Sequence, residues 1–160
     1  HWIAMPIPLR FHVAFVKNIA YYASSHGVDQ ERLCRLAGIP AQLLSDPDAI
    51  IDAALMERVW RVAVEETGDA SFGLHLGEGT QPADIGIVGL AMMSCDTLHA
   101  ALRKLIRYWE LMSNATRIEL TATGGVATVE LQVVEAPRNF IRDNRHPVES
   151  SFSACLSLLH

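Results

Sequence analysis

The chain has 160 residues and a mass of 17.6 kDa, with 50% hydrophobic and 19% charged residues, enough for one compact domain and below the length at which cores split. Such an apolar fraction excludes a disordered tail. Thirteen Lys and Arg against eighteen Asp and Glu give a net charge of -5, so there is no domain-wide positive field to attract nucleic acid or anionic lipid, and this segment alone is not expected to bind DNA or RNA.

From Leu9 to Ala23 the residues Phe11, Phe15, Val16, Ile19, Ala20 and Ala23 recur at helical spacing, and Gly27 follows as a stop signal, which predicts a first helix. Asp29 caps a short second helix in which Leu33, Leu36 and Ala37 share a face before Gly38. The turn Gly38-Ile39-Pro40 starts another short stretch with Leu43 and Leu44. Asp46-Pro47-Asp48 then breaks the chain, because the residue before a proline is pushed out of the helical region. Asp52 opens the clearest amphipathic helix. Leu55, Met56, Val59, Trp60, Val62 and Ala63 form its apolar stripe, Glu57, Arg58, Arg61 and Glu65 lie mostly outside it, and Gly68 ends it.

After a glycine-rich stretch through Gly73, Gly77 and Gly79, Pro82 precedes an almost wholly apolar run from Ile85 to Met93. Gly86 and Gly89 interrupt that run, and each costs a helix about 1 kcal/mol, which close packing against a neighbour would offset. Asp96 caps a helix from Thr97 to about Met112, with Leu98, Ala101, Leu102, Leu105, Ile106 and Trp109 inward. The period then changes. Ile118, Leu120 and Ala122 alternate with polar residues, Gly124-Gly125 turns the chain, and Ala127, Val129, Leu131 and Val133 alternate again. This predicts a hairpin with one buried face, which has to lie on the helices or join further strands, because a lone hairpin is only marginally stable.

Pro137 ends the hairpin, and a loop with Arg138, Arg142 and Arg145 leads to a last helix from Pro147. In that helix Val148, Phe152, Cys155, Leu156 and Leu159 keep helical spacing. No glycine, proline or basic turn closes it before His160, so the natural protein is expected to continue; Met5 is expected as its native start, after a vector remnant. The fold class expected is α+β, a mostly helical domain with an antiparallel hairpin or small sheet, over residues 1–160 as a single domain.

Cys34, Cys95 and Cys155 are odd in number and widely spaced, which fits a reducing, cytoplasmic location rather than a disulfide framework. The longest charge-free apolar run, Ile85 to Cys95 between Asp84 and Asp96, falls short of the roughly 20 residues that span a bilayer. The sequon Asn114-Ala115-Thr116 has no meaning without a secretory route.

Two stretches carry a family likeness: Glu66-Thr67-Gly68-Asp69-Ala70-Ser71-Phe72-Gly73-Leu74-His75-Leu76-Gly77, and Gly86 through Leu102, which reads Gly-Ile-Val-Gly-Leu-Ala-Met-Met-Ser-Cys-Asp-Thr-Leu-His-Ala-Ala-Leu. With the leading helices, the long helix that carries Arg107-Tyr108-Trp109 and the hairpin, the chain from about Ile19 to His160 resembles the N-terminal effector domain of one branch of AraC/XylS-type transcription regulators, the arabinose-binding-like domain. The resemblance implies a domain that senses a small effector or mediates self-association and precedes tandem helix-turn-helix units that bind DNA. Those units are absent here, so promoter DNA is an expected partner only through a C-terminal domain. The family's effector contacts form no short motif, and none is carried over onto this chain.

Catalytic and metal-binding signatures are lacking. His12, His26, His75, His99 and His146 are scattered, with no Cys-x-x-Cys and no histidine pair one turn apart. Gly77-Glu78-Gly79 opens like a dinucleotide fingerprint, but Pro82 holds the third glycine position and no strand precedes it. There is no Gly-x-Ser-x-Gly elbow, and Cys95 before the Asp96 cap reads as a small buried residue more readily than as an activated thiol. The paired carboxylates Glu65-Glu66 and Asp46-Pro47-Asp48 sit in solvent. Arg103, Lys104 and Arg107, with Tyr108 and Trp109 interleaved, read as a solvated helix face more readily than as an anion site, and the Arg138, Arg142 and Arg145 loop, its charge partly offset by Asp143, is a lesser candidate for an acidic partner or an anionic effector. No cofactor and no metal ion are expected.

A small-molecule pocket is sought between the long helix, the buried face of the hairpin and the last helix, with Trp60, His99, Tyr108, Trp109 and Arg142 as candidate ligand contacts. Met56, Met92, Met93 and Met112 would suit an adaptable apolar cavity. The reading is a ligand-sensing or dimerising regulatory domain rather than an enzyme. Its expected partners are a small-molecule effector and a second copy, a homodimer formed through the first and last helices, and no membrane. Two rivals remain: a small cytosolic enzyme with a site assembled from His75, Cys95 and His146, and a dimerisation module without a ligand.

Overall fold

The computed structural model describes residues 8–134 and 140–157. The expectations on Met5, Pro137, Arg138, Leu159 and His160 fall outside these residues.

The first helix starts later than its apolar pattern suggests. Arg10–His12 form a short strand, β1, paired antiparallel with β2, Ile50–Asp52, with Phe11 opposite Ile51 and both side chains buried. The ladder ends where the Val13 amide donates to the Ala49 carbonyl at 2.8 Å. Helix α1, Val13–Ser25, begins there, with Nδ1 of His12 accepting from the Ala14 amide. Two three-residue strands give too short an alternation to register in the sequence, so Phe11 falls into the helical spacing of the residues that follow it.

The second and fourth helices stop and start where their caps dictate. In α2, Gln30–Ala37, the Asp29 carboxylate accepts from the Arg32 amide at 2.7 Å, and Gly38 closes the helix in the left-handed conformation. Leu33 and Ala37 are buried, but Leu36 stands 48% exposed and leaves the predicted face. Ala41–Ser45 form the short α3. In α4, Ala53–Thr67, Asp52 accepts from the Leu55 amide, and Gly68 ends the helix at positive φ. Met56, Val59, Trp60, Val62 and Ala63 are all buried.

The glycine-rich stretch is a helix, α5, Phe72–Gly79. Its glycines allow it to press onto the last helix, α9, Arg145–Ser157. A Cβ on Gly73 would collide with the His146 carbonyl, and one on Gly77 would sit 2.5 Å from the Ser150 carbonyl oxygen. The Ser153 hydroxyl, buried in this contact, donates to the Leu74 carbonyl at 2.9 Å. A 3₁₀ turn, Pro82–Ile85, leads into α6, Gly86–Met93, where a side chain at Gly89 would fall on the Pro82 carbonyl. That is the close packing expected of a glycine-bearing helix.

Helix α7, Leu98–Met112, is capped by the Thr97 hydroxyl, which accepts from the Ala100 amide at 3.2 Å, one residue past the Asp96 expected. Leu105 and Met112 are its buried residues, and Leu98 is largely exposed. Strands β3, Thr116–Thr123, and β4, Val126–Val133, pair in the register the alternation predicts, with Ile118 opposite Leu131 and Leu120 opposite Val129. Among the described residues the hairpin joins no further strand, and only its base is covered, since residues 121–130 are exposed. A short helix not foreseen in the sequence, α8, Phe140–Asp143, carries Arg142. Helix α9 then begins at Arg145, two residues before Pro147, a position in the first turn where a proline removes no helical hydrogen bond.

The larger hydrophobic cluster is built from α1, α2, α4 and α5 with Phe140 and Ile141. A smaller one joins Ala14 to Val88, Met92, Leu105 and Met112, and Phe15 packs against both. Val13, Val16, Ile19, Ala20 and Ala23 are all buried, so this face of α1 runs through the core, while Tyr21 on the same helix stands 75% exposed. The architecture is α+β and mostly helical, with two small antiparallel sheets among the described residues. No helix among the described residues is long and apolar enough to cross a membrane.

Candidate functional site

A cavity of about 190 Å³ opens between α7, the hairpin base and α9, and reaches back to α1, α4 and α5. The helices line it with residues one turn apart: Phe15 and Ile19 on α1, Met56 and Trp60 on α4, Leu105 and Trp109 on α7, and Ser151 and Cys155 on α9. From the hairpin come Ile118, Leu131 and Val129 on one face, and Phe11, Phe140 and Ile141 close the far side. The amphipathic stripes that build the core therefore also build the cavity wall.

Ring contacts hold the aromatic wall. Phe15 meets Trp109 edge-on at 6.1 Å between centroids, Trp60 meets Phe72 at 5.9 Å, and Phe11 meets Phe140 at 5.5 Å. The Trp109 indole N–H donates to the Thr116 hydroxyl at 3.0 Å, which fixes the ring's orientation. The polar groups in the wall mostly bond to the protein itself. Asn18 Nδ2 donates to Thr80 Oγ1, Thr80 donates to the Leu76 carbonyl, Ser151 donates to the Pro147 carbonyl, and Ser113 Oγ accepts from the Ala115 amide. Among the described residues no Asp, Glu, Lys, Arg or His lines the cavity. Cys155 is the wall's titratable group, and burial raises its thiol pKa, so it stays neutral.

Of the candidate contacts, Trp60 and Trp109 are in the wall and His99, Tyr108 and Arg142 are not. His99 and Arg142 are exposed on α7 and α8, and Tyr108 lies outside under the Arg107 guanidinium, 5.6 Å from its ring centroid. With Leu105 and Trp109 turned inward, Tyr108 falls about 100° around the helix from Trp109. Phe15, Asn18, Thr80 and Ser150 line the cavity without having been singled out. Phe15 carries only the signal of helical spacing, which a plain core residue shares, and the polar Asn18, Thr80 and Ser150 carry no apolar periodicity.

His75, Cys95 and His146 each have a separate partner. His75 Nδ1 lies 2.7 Å from Asp69 Oδ2, His146 Nδ1 accepts from the Gly73 amide at 3.3 Å, and the Cys95 thiol points to the Ala91 carbonyl at 3.7 Å. No contact among the three occurs within the described residues. Glu66 is bound to Arg32 at 2.5 Å and Glu65 to Arg61 at 3.2 Å, as surface pairs. Lys104 donates to Ser94 and the Ala91 carbonyl, which ties α7 to α6 rather than presenting a free cation. Among the described residues no group of three or more His, Cys, Asp and Glu is placed to hold a metal ion.

Residues 27–160 match the family described as the arabinose-binding domain of AraC transcription regulators, N-terminal. Among curated proteins, an uncharacterized HTH-type transcriptional regulator of Mycobacterium tuberculosis is 29% identical over 133 residues, 82% of this chain and 39% of that protein. A counterpart in Mycobacterium bovis matches to the same extent. The ornithine utilization regulator of Pseudomonas aeruginosa is 25% identical over 124 residues, 78% of this chain and 36% of that protein. The chain thus spans less than two-fifths of the length of these relatives.

Proposed function

The chain belongs to the family of N-terminal arabinose-binding domains of AraC transcription regulators, and from that membership we propose that it is the regulatory part of a bacterial transcription factor, which senses a small effector in its cavity and controls promoter binding by a C-terminal helix-turn-helix portion. One observation carries the reading: the cavity takes its wall from β1, α1, α4, α5, α7, the hairpin, α8 and α9, so an occupant touches elements from both ends of the chain. An effector shifts an equilibrium between two packings only by its difference in affinity for them. A site shared by this many elements supplies that difference whenever α9 or the hairpin moves.

The net charge of -5 gives this domain no net attraction for phosphates, which supports the reading that a C-terminal portion makes those contacts. Self-association belongs to the same proposal. Phe152, which also borders the cavity, and Leu156, one turn apart on α9, are 55% and 62% exposed and offer an apolar strip to a second copy. The reading is of a cytoplasmic protein whose three cysteines are free thiols, with regulation rather than catalysis as its role.

The test is a gel-shift titration of promoter DNA with the full-length regulator, with and without effector. A several-fold change in DNA affinity on adding effector is expected, and it should be lost when Leu105→Trp fills the cavity. Absence of promoter binding under every condition would overturn the proposal. Sedimentation across a concentration series checks the dimer: Phe152→Ser with Leu156→Ser should leave a monomer.

A further inference from the structure

We infer that the cavity takes an uncharged, mainly apolar molecule the size of one substituted aromatic ring or a medium alkyl chain, and turns away both free sugars and charged amino acids. The inference rests on the reading of the cavity as the effector site and names the chemistry that site selects.

Charge is the first argument. Among the described residues the lining includes no Asp, Glu, Lys, Arg or His, so an ionised ligand would give up its hydration without gaining a counter-charge from them. The relative named for ornithine utilization is a separate protein, and the carboxylate and two amines of that amino acid would find no counter-charge among the described residues of this wall.

Hydrogen-bonding capacity is the second. A pentose carries hydroxyls around its whole ring, and each buried hydroxyl left unpaired is costly. Here the Thr80 proton is committed to Leu76 and the Ser151 proton to Pro147, while Thr116 and Ser113 accept from Trp109 and the Ala115 amide and keep one proton each, too few donors for every hydroxyl of a pentose. Among the described residues the Ser150 hydroxyl and the Asn18 carbonyl oxygen line the cavity without a hydrogen-bond partner. Together they suit one hydroxyl or carbonyl on an otherwise apolar molecule.

Size and shape are the third. An apolar cavity of about 150 Å³ holds benzene, so about 190 Å³ admits a ring with a short substituent. Phe15, Trp60, Trp109 and Phe140 provide flat faces and edges for it. Val129 is 37% exposed beside Ile118 and Leu131, and an apolar occupant would complete the cover that the hairpin's inner face lacks.

The experiment uses the full chain with 1-octanol, benzyl alcohol, octanoate, L-arabinose and L-ornithine, read by tryptophan fluorescence and thermal midpoint. Benzyl alcohol or 1-octanol should shift the emission and raise the midpoint by roughly 2–4 °C, while octanoate, arabinose and ornithine leave both unchanged. Leu131→Phe from the hairpin and Ser150→Phe from α9, each checked for native circular dichroism, should weaken the neutral probes at least tenfold. Binding of arabinose, ornithine or octanoate that both variants abolish overturns the ligand class and leaves the cavity as the effector site. Binding that neither variant weakens overturns the cavity itself. No response to either neutral probe also refutes the inference.

Discussion

His75 Nδ1 sits 2.7 Å from Asp69 Oδ2, and this hydrogen bond, with the carboxylate's charge, raises the imidazole pKa above 6.5. For Asp69, burial alone would raise the carboxyl pKa, but the hydrogen bonds from His75 and the Ser71 amide outweigh it and leave the value lowered. His146, at the start of α9, goes the other way: burial and then Arg145 lower its pKa. Its Nδ1 accepts from the Gly73 amide, which requires that nitrogen to be unprotonated. The signs follow by linkage. The stabilisation from His75 is fully present below its unfolded value of 6.5 and is lost as pH rises through the raised folded value. His146 is protonated more readily in the unfolded chain, so it costs stability as pH falls below 6.5 toward the lowered folded value. In urea melts, His75→Gln should therefore lose more stability relative to wild type at about pH 5.5 than at about pH 8.5. His146→Asn, whose side-chain oxygen can still accept from Gly73, should gain on wild type as pH falls. Parallel pH profiles for each variant and wild type would show that neither pair is coupled to folding.

At the level of elements, the contact between α5 and α9 depends on two positions without side chains. Gly77→Ala places a methyl 2.5 Å from the Ser150 carbonyl oxygen and should cost about 2–3 kcal/mol, because neither backbone can give way easily. Gly79, on the same helix, has nothing within 4 Å of an added Cβ, so Gly79→Ala should be neutral or stabilising by roughly 0.5–1 kcal/mol. Equal effects in chemical denaturation would mean that helix propensity, not the close approach, decides this helix. This contrast also explains what the sequence could reveal. Helices α2 and α4 were legible to the residue because Asp29 with Gly38, and Asp52 with Gly68, act on their own neighbours. The hairpin register followed from alternation and Gly124-Gly125. Helix α5 was hidden because the partner that makes Gly73 and Gly77 favourable lies some seventy residues away on α9. The cavity was half legible for the same reason. Trp60 and Trp109 stood out on apolar stripes, whereas His99, Tyr108 and Arg142 drew attention by their chemistry and sit outside a wall that uses almost none.

Across the whole molecule, the larger cluster around α1, α2, α4 and α5 and the smaller one around α6 and α7 share the Phe15 side chain. Phe15 also lines the cavity and meets Trp109 edge-on at 6.1 Å. The ring that couples the two clusters is thus the ring an occupant would touch, which gives ligand binding a route to the relative stability of α6–α7 and the rest. Phe15→Ala should cost about 2–3 kcal/mol, less than for a fully buried ring because Phe15 is half-buried. It should also separate the hydrogen exchange of Val88 and Leu105 from that of Val59 and Val62, with the α6–α7 amides opening at lower free energy. Leu33→Ala serves as the control: this side chain is fully buried in the larger cluster alone, so it should cost about 2–5 kcal/mol and lower the protection of Val59 and Val62 without loosening α6–α7 selectively. If Phe15→Ala lowers protection evenly in both clusters, the ring carries packing energy but no coupling, and control by an occupant of the cavity must run through the hairpin or α9 instead.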